Sequence, residues 1–131
     1  MSRNTARPLS PHLSIWKWGP HMTVSILTRV TGVGLATVGV TGFVWWLAAL
    51  ASGPDAYASF LAVAKLPIML IFPIGLSLTF FFHMLAGIRH LVMDTGSGFE
   101  LKTNRMGAIA VMIGAVVLTL LMWAYILLGS R

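Results

Sequence analysis

Three long stretches of this chain contain no Asp, Glu, Lys or Arg: residues 30–53, 66–88 and 106–130. Each is longer than the roughly 20 residues that an α-helix needs to cross a hydrocarbon core. Buried helices of soluble domains seldom run so far without a charge. The sequence therefore predicts an all-α integral membrane chain with three transmembrane helices, near residues 23–51, 65–93 and 106–128. Composition agrees, because 57% of residues are hydrophobic and only 9% are charged, against about a quarter charged in soluble domains. Three spans in 131 residues make a thin bundle, so a partner subunit is expected.

The predicted organisation is simple: a polar, basic, proline-punctuated segment over residues 1–22, then the three-helix domain over 23–131. The first apolar run is too long for the core of a cleaved signal peptide. With no cysteine, the chain has neither a disulfide framework nor a thiolate metal or iron–sulfur site. The net charge of +6 resembles a nucleic-acid signal, but the basic residues sit at the ends of apolar runs, which is the pattern that sets membrane topology. Arg3, Arg7, Lys17 and Arg29 precede or open the first span, and Arg89, Lys102 and Arg105 surround the loop between the second and third. The opposite ends carry only Lys65 and Arg131. This bias predicts an N-terminus on the cytoplasmic (or matrix) side and a C-terminus outside. Trp16 and Trp18 would form one interfacial belt, and Trp45, Trp46, Trp123 and Tyr125 the other. Residues 52–64 are expected to be a short outer connection.

Ionisable or polar groups at membrane depth are expensive and are functional candidates by default. Four stand out: Ser25, Arg29, His83 and His90, with Arg89 beside the last. His83 lies about 16 Å of helix rise from Asp94, near mid-bilayer. A neutral imidazole there wants partners for both nitrogens. An interhelical bond to a serine or threonine would serve, and so would axial ligation of a haem iron. Gly87, one turn along the same face, would leave room for a flat porphyrin. Gly32, Ala36 and Gly39 form a small-residue series on the first span, which close helix packing alone would also explain. His90 returns to the face of His83 seven residues later, about 10 Å along the axis, so the two cannot ligate one iron from opposite sides. The first and third spans contain no histidine, while His12 and His21 lie in or beside the shallow N-terminal segment. A second axial ligand would have to come from another polypeptide. His90 and Arg89 stand where haem propionates would point, or else balance the helix dipole and snorkel. Ser25 and Arg29, one turn apart, share a face. They could hold a lipid-soluble carbonyl compound, the hydroxyl donating to a carbonyl oxygen and the cation favouring a partly reduced anionic form.

These residues lie in three strings: Arg7-Pro8-Leu9-Ser10-Pro11-His12-Leu13, Ser25-Ile26-Leu27-Thr28-Arg29-Val30-Thr31-Gly32, and His83-Met84-Leu85-Ala86-Gly87-Ile88-Arg89-His90-Leu91-Val92-Met93-Asp94. Together they resemble the cytochrome b membrane-anchor subunit of succinate dehydrogenase, in the form found in mitochondria and their bacterial relatives. The resemblance spans most of the chain. It implies a four-chain complex with a flavoprotein, an iron–sulfur protein and a second three-helix anchor, in the inner (cytoplasmic) membrane. One haem b would lie between the two anchors. His83 matches the iron ligand, and Ser25 and Arg29 match ubiquinone-site residues. The family usually has histidine, associated with a propionate, where this chain has Thr28. Propionate contacts would then rely more on Arg29, Arg89 or His90.

The expected role is to anchor the dehydrogenase and help form the site where electrons from succinate reduce ubiquinone. Succinate chemistry itself belongs to other subunits, since this chain has no cysteine and no glycine-rich nucleotide fingerprint. A related fumarate reductase, a purely structural anchor and a small transporter subunit are the alternatives. A transporter path needs polar groups on several helices, yet the third span offers only Thr119 between Met106 and Trp123.

Overall fold

A computed structural model describes Ala6 and residues 16–129. The string from Arg7 to Leu13 with His12, and also Arg3 and Arg131, lie outside the described residues. Among the described residues there are helices and turns but no strand. Three helices are long and apolar enough to cross a membrane. We number four helices: α1 over Pro20–Ala51, α2 over Pro54–Ala64, α3 over Ile71–Asp94 and α4 over Leu101–Gly129.

Each boundary has a local cause. Pro20 occupies the first turn of α1, where a missing amide costs nothing and its fixed φ suits the helix. The helix therefore starts three residues before the expected position. A π-helical turn over Leu35–Gly39 interrupts α1 without breaking it; the amide of Val40 reaches the carbonyl of Leu35, five residues back. Gly53, at φ 100°, turns the chain, and Pro54 opens α2 with Asp55 in its first turn. The short connection expected over residues 52–64 is thus largely a helix. Trp45 of α1 packs edge-on against Phe60 of α2 at 4.7 Å. A 3₁₀ turn over Pro67–Leu70 leads into α3, and Gly96 and Gly98, both at positive φ, return the chain to α4. Helix α4 begins at Leu101, five residues before the apolar run. Apolarity marks the edge of the hydrocarbon, whereas a helix keeps its hydrogen bonds into the interface.

The three long helices run up, down and up, with the most extensive packing between α3 and α4. Their shared core is Val24 from α1, Phe82 and Ala86 from α3, and Ala108, Val111 and Ala115 from α4. Small residues let the backbones approach, which is how helices associate in lipid, where apolar surface alone provides no drive. Gly114 shows how tight the seam is: a Cβ there would come within 3.0 Å of Leu85 Cδ1. At the far end Trp123 Nε1 donates to Ser77 Oγ across 3.3 Å, tying α4 to the start of α3. Most other large apolar side chains are exposed on the isolated chain.

Ala86 is fully buried at this seam. Ala86→Leu is expected to overpack it and to destabilise the bundle by about 1–3 kcal/mol, read as a lower melting temperature of the detergent-solubilised protein. Ala62→Leu, at an exposed position of α2, is expected to leave that temperature unchanged.

Candidate functional site

The faces of α1 and α3 meet at glycine. Helices α1 and α3 run antiparallel, so two positions seven residues apart on one helix can register with two on the other. Gly39 stands over Leu76 and Gly32 over His83: a Cβ on Gly39 would meet Leu76 Cδ2 at 3.5 Å, and one on Gly32 would meet His83 Cε1 at 3.0 Å. Ala36, the middle member of the small-residue series, is exposed. The His83 ring therefore occupies the space that a side chain at position 32 would fill.

That seat fixes one edge of the ring. His83 Nδ1 lies 3.2 Å from the backbone carbonyl oxygen of Thr28 and 3.3 Å from Thr31 Oγ1. The carbonyl of Thr28 is reachable because the residue one turn on is Gly32, and helical side chains lean back over the preceding turn. Nε2 has no hydrogen-bond partner among the described residues. No side-chain nitrogen or oxygen among them is buried without one, so Nε2 reaches the surface of the chain. One turn along, a Cβ on Gly87 would meet nothing within 4 Å. A half-buried imidazole is thus held on one side and open on the other, beside free space.

The other candidates are distributed around this histidine. His90, on the same side of α3, is exposed. Arg89 is six residues from His83, about 240° round the helix, and the structure does not bring the two together. Its Nη2 donates to Asn104 Oδ1 at 2.6 Å, and its side chain runs over Gly107 of α4. There it borders a groove of about 300 Å³ with Ile88, Val92, Asn104 and Val111. The Thr28 hydroxyl donates to the Val24 carbonyl at 2.7 Å. His21 is exposed. Among the described residues no group of three or more His, Cys, Asp and Glu could hold a metal ion. His83 and His90, on one side of one helix, cannot approach a single metal ion from opposite sides.

Ser25 stands seven residues before Gly32 and so within about 20° of the face of α1 that meets α3, whereas Arg29 lies about 140° round α1 from the buried Val24 and points further out. Ser25 is half-buried and Arg29 exposed. Many hydroxyls in these helices donate to the carbonyl four residues back, among them Thr28, Thr37, Ser77 and Thr119. Ser25 has no such bond, and Arg29 forms none with a carboxylate or carbonyl among the described residues.

Sequence reasoning missed three partners. Thr31 is recoverable in retrospect, since it shares the inward face of α1 with Val24, Thr28 and Leu35. The carbonyl of Thr28 is a backbone group and leaves no mark in the sequence. Asn104 falls outside the charge-free run and looks like loop until α4 is seen to begin at Leu101.

An apolar three-helix bundle with an open imidazole nitrogen and a Ser–Arg pair one turn apart on α1 defines a transmembrane subunit built to be completed by other chains. Residues 3–122 match the family described as succinate dehydrogenase/fumarate reductase transmembrane subunit, and the chain belongs to that family. It is 41% identical over 117 residues to the succinate dehydrogenase cytochrome b556 subunit of Rickettsia conorii, covering 89% of this chain and 90% of the relative. Identity to the subunit of the same name from Paracoccus denitrificans is 36% over 115 residues, 88% of each chain. The mitochondrial cytochrome b560 subunit of Mus musculus is 36% identical over 118 residues, 87% of this chain and 69% of the relative. The chain is therefore a membrane-spanning, cytochrome b type subunit of an oxidoreductase complex.

The two glycines separate packing from propensity. Replacing glycine by alanine in a helix favours folding by about 0.5–1 kcal/mol where space allows. Gly39→Ala is expected to leave the melting temperature level or raised. Gly32→Ala must displace the His83 ring and is expected to lower it.

Proposed function

We propose that this subunit holds one haem b jointly with a second three-helix anchor and forms one wall of a ubiquinone-reducing site in a succinate dehydrogenase. The observation that carries the haem reading is the half-satisfied His83. Nδ1 has partners on α1, Nε2 has none, and the space beside Gly87 would accept a flat macrocycle. Neutral imidazole is a common haem ligand, and relatives of this chain bear the name cytochrome b. The donor set fits: His83 Nε2 would supply one axial bond, and the opposite ligand would come from the partner anchor. When bound, the haem supplies a one-electron redox centre within the anchor.

The residues of this chain then have distinct tasks. His83 fixes where the haem lies. His90, on the same side of α3, and Arg29 are the cations nearest in register for propionates. Arg89 would have to release Asn104 to join them, and Thr28 adds no charge. Ser25 would donate to a quinone carbonyl, while Arg29 would lower the energy of negative charge developing on the ring. Protons for quinone reduction enter from the interface at which Ser25 and Arg29 stand. Succinate oxidation belongs to the flavoprotein and iron–sulfur partners, which would dock at that same end. With Arg29, Arg89, Lys102 and Arg105 gathered there, that end would face the cytoplasm or matrix and the C-terminus would lie outside, in the inner (cytoplasmic) membrane.

The contact of His83 with α1 also favours a second reading, in which the histidine only joins two helices in a structural anchor. Optical spectra of the purified complex decide between them. The expected outcome is a reduced b-type band that is lost in His83→Ala; a band unchanged by that substitution would refute the ligand assignment. A transporter path gains no support from α4, where the Thr119 hydroxyl is buried and donates to the Ala115 carbonyl at 2.7 Å.

Ser25→Ala and Arg29→Leu are expected to lower succinate-dependent ubiquinone reduction by about 100–1000-fold, the range for removing a polarising donor. Electron transfer from succinate to an artificial dye should persist in the same preparations. Intact quinone reduction in an assembled double variant would remove these residues from the quinone site.

A further inference from the structure

We infer that Thr31 is a positioning residue for the haem-ligating histidine: together with the Thr28 carbonyl, it fixes the His83 proton on Nδ1 and leaves the Nε2 lone pair for iron. The inference rests on the haem reading above and deepens it.

The argument is one of donors and acceptors. A backbone carbonyl oxygen can only accept. The 3.2 Å contact between His83 Nδ1 and the Thr28 oxygen is therefore attractive only when Nδ1 carries a proton. In a neutral ring with its proton on Nε2, two lone pairs would face one another at that distance, in surroundings that screen them poorly. The Thr31 hydroxyl completes a triangle. It donates to the same Thr28 carbonyl at 3.1 Å and presents its own oxygen to Nδ1 at 3.3 Å. One assignment satisfies all three contacts: Nδ1–H donates to both oxygens, and Thr31 O–H donates to the carbonyl. The reversed tautomer keeps at most the hydroxyl contact and makes the carbonyl contact repulsive.

Two consequences follow for the ligand. The ring is held at two points across the α1–α3 seam, so rotation about its Cβ–Cγ bond is restricted before any haem arrives. In addition, a metal-bound imidazole becomes a stronger electron donor when its other nitrogen donates a hydrogen bond. Removing one of the two acceptors of Nδ1–H weakens that donation, stabilises the ferric state less and raises the haem midpoint potential. Gly32 is part of the arrangement, because any side chain there would both cover the Thr28 carbonyl and displace the ring.

The test uses the assembled, haem-loaded complex carrying Thr31→Val, which keeps the β-branched shape and loses the hydroxyl, and Thr31→Ser, which keeps the hydroxyl. Redox titration of the b band and the highest g value of the ferric low-spin haem are measured for each. The expected result for Thr31→Val is a more positive midpoint potential and a displaced or broadened g signal, with Thr31→Ser restoring both. A potential and g value equal to the parent's in Thr31→Val, or a shift to a more negative potential, overturns the proposal. So does an equal disturbance in Thr31→Ser, which would assign the effect to packing. Failure of the haem reading itself looks different: the b band then survives His83→Ala, whatever position 31 contains.

Discussion

Inside a bilayer no water is available to complete a hydrogen bond, so every polar group at that depth needs a partner within the protein or a ligand. The backbone meets this demand by forming helices. Most helix hydroxyls meet it by donating to the carbonyl one turn back, as Thr37, Ser77 and Thr119 do. His83 does not: its Nδ1 turns to α1 instead. Its two nitrogens must be satisfied elsewhere, and much of the molecule's design follows from how that is done. One nitrogen is met by α1, through a carbonyl that only a glycine one turn on could expose. The other has no partner among the described residues and reaches the surface of the chain.

Packing in the rest of the bundle serves the same end. Lipid tails are as apolar as leucine, so α3 and α4 associate through close contact at Ala86, Ala108, Gly114 and Ala115 rather than by escape from water. That seam fixes α3, and α3 in turn presents His83 to α1. The long apolar surface that remains suits both lipid and neighbouring subunits. It explains how a chain with a small core can be a stable part of a larger membrane assembly without being a stable soluble domain.

Helix α1 meets α3 along one face. Thr28, Thr31 and Gly32 hold the histidine there, and Ser25 lies seven residues before Gly32 on nearly the same side, with Arg29 turned further out. The proposed haem and quinone positions would then lie along one helix, a few residues of rise apart. Arg89 stands apart from both, engaged with Asn104 between α3 and α4. Its separation from His83 shows how two residues in one motif can serve different interfaces, since the helical turn sends neighbours in sequence to different sides.

The sequence alone determined that this chain spans a membrane three times, because uncharged runs of such length have no other stable solvent. It also placed His83 and His90 on one side of a single span, since their spacing and a 3.6-residue turn suffice for that. The tertiary structure decided what touches what. Helix α2 between the first two spans and the start of α4 at Leu101 depend on backbone hydrogen bonds that continue past the apolar boundaries, and the π turn in α1 on a locally wider bond inside one. The partners of His83 Nδ1 depend on α1 and α3 meeting in one register, with Gly32 opposite the ring. A carbonyl looks the same in every residue, so only the approach of a second helix reveals which one will hold a side chain.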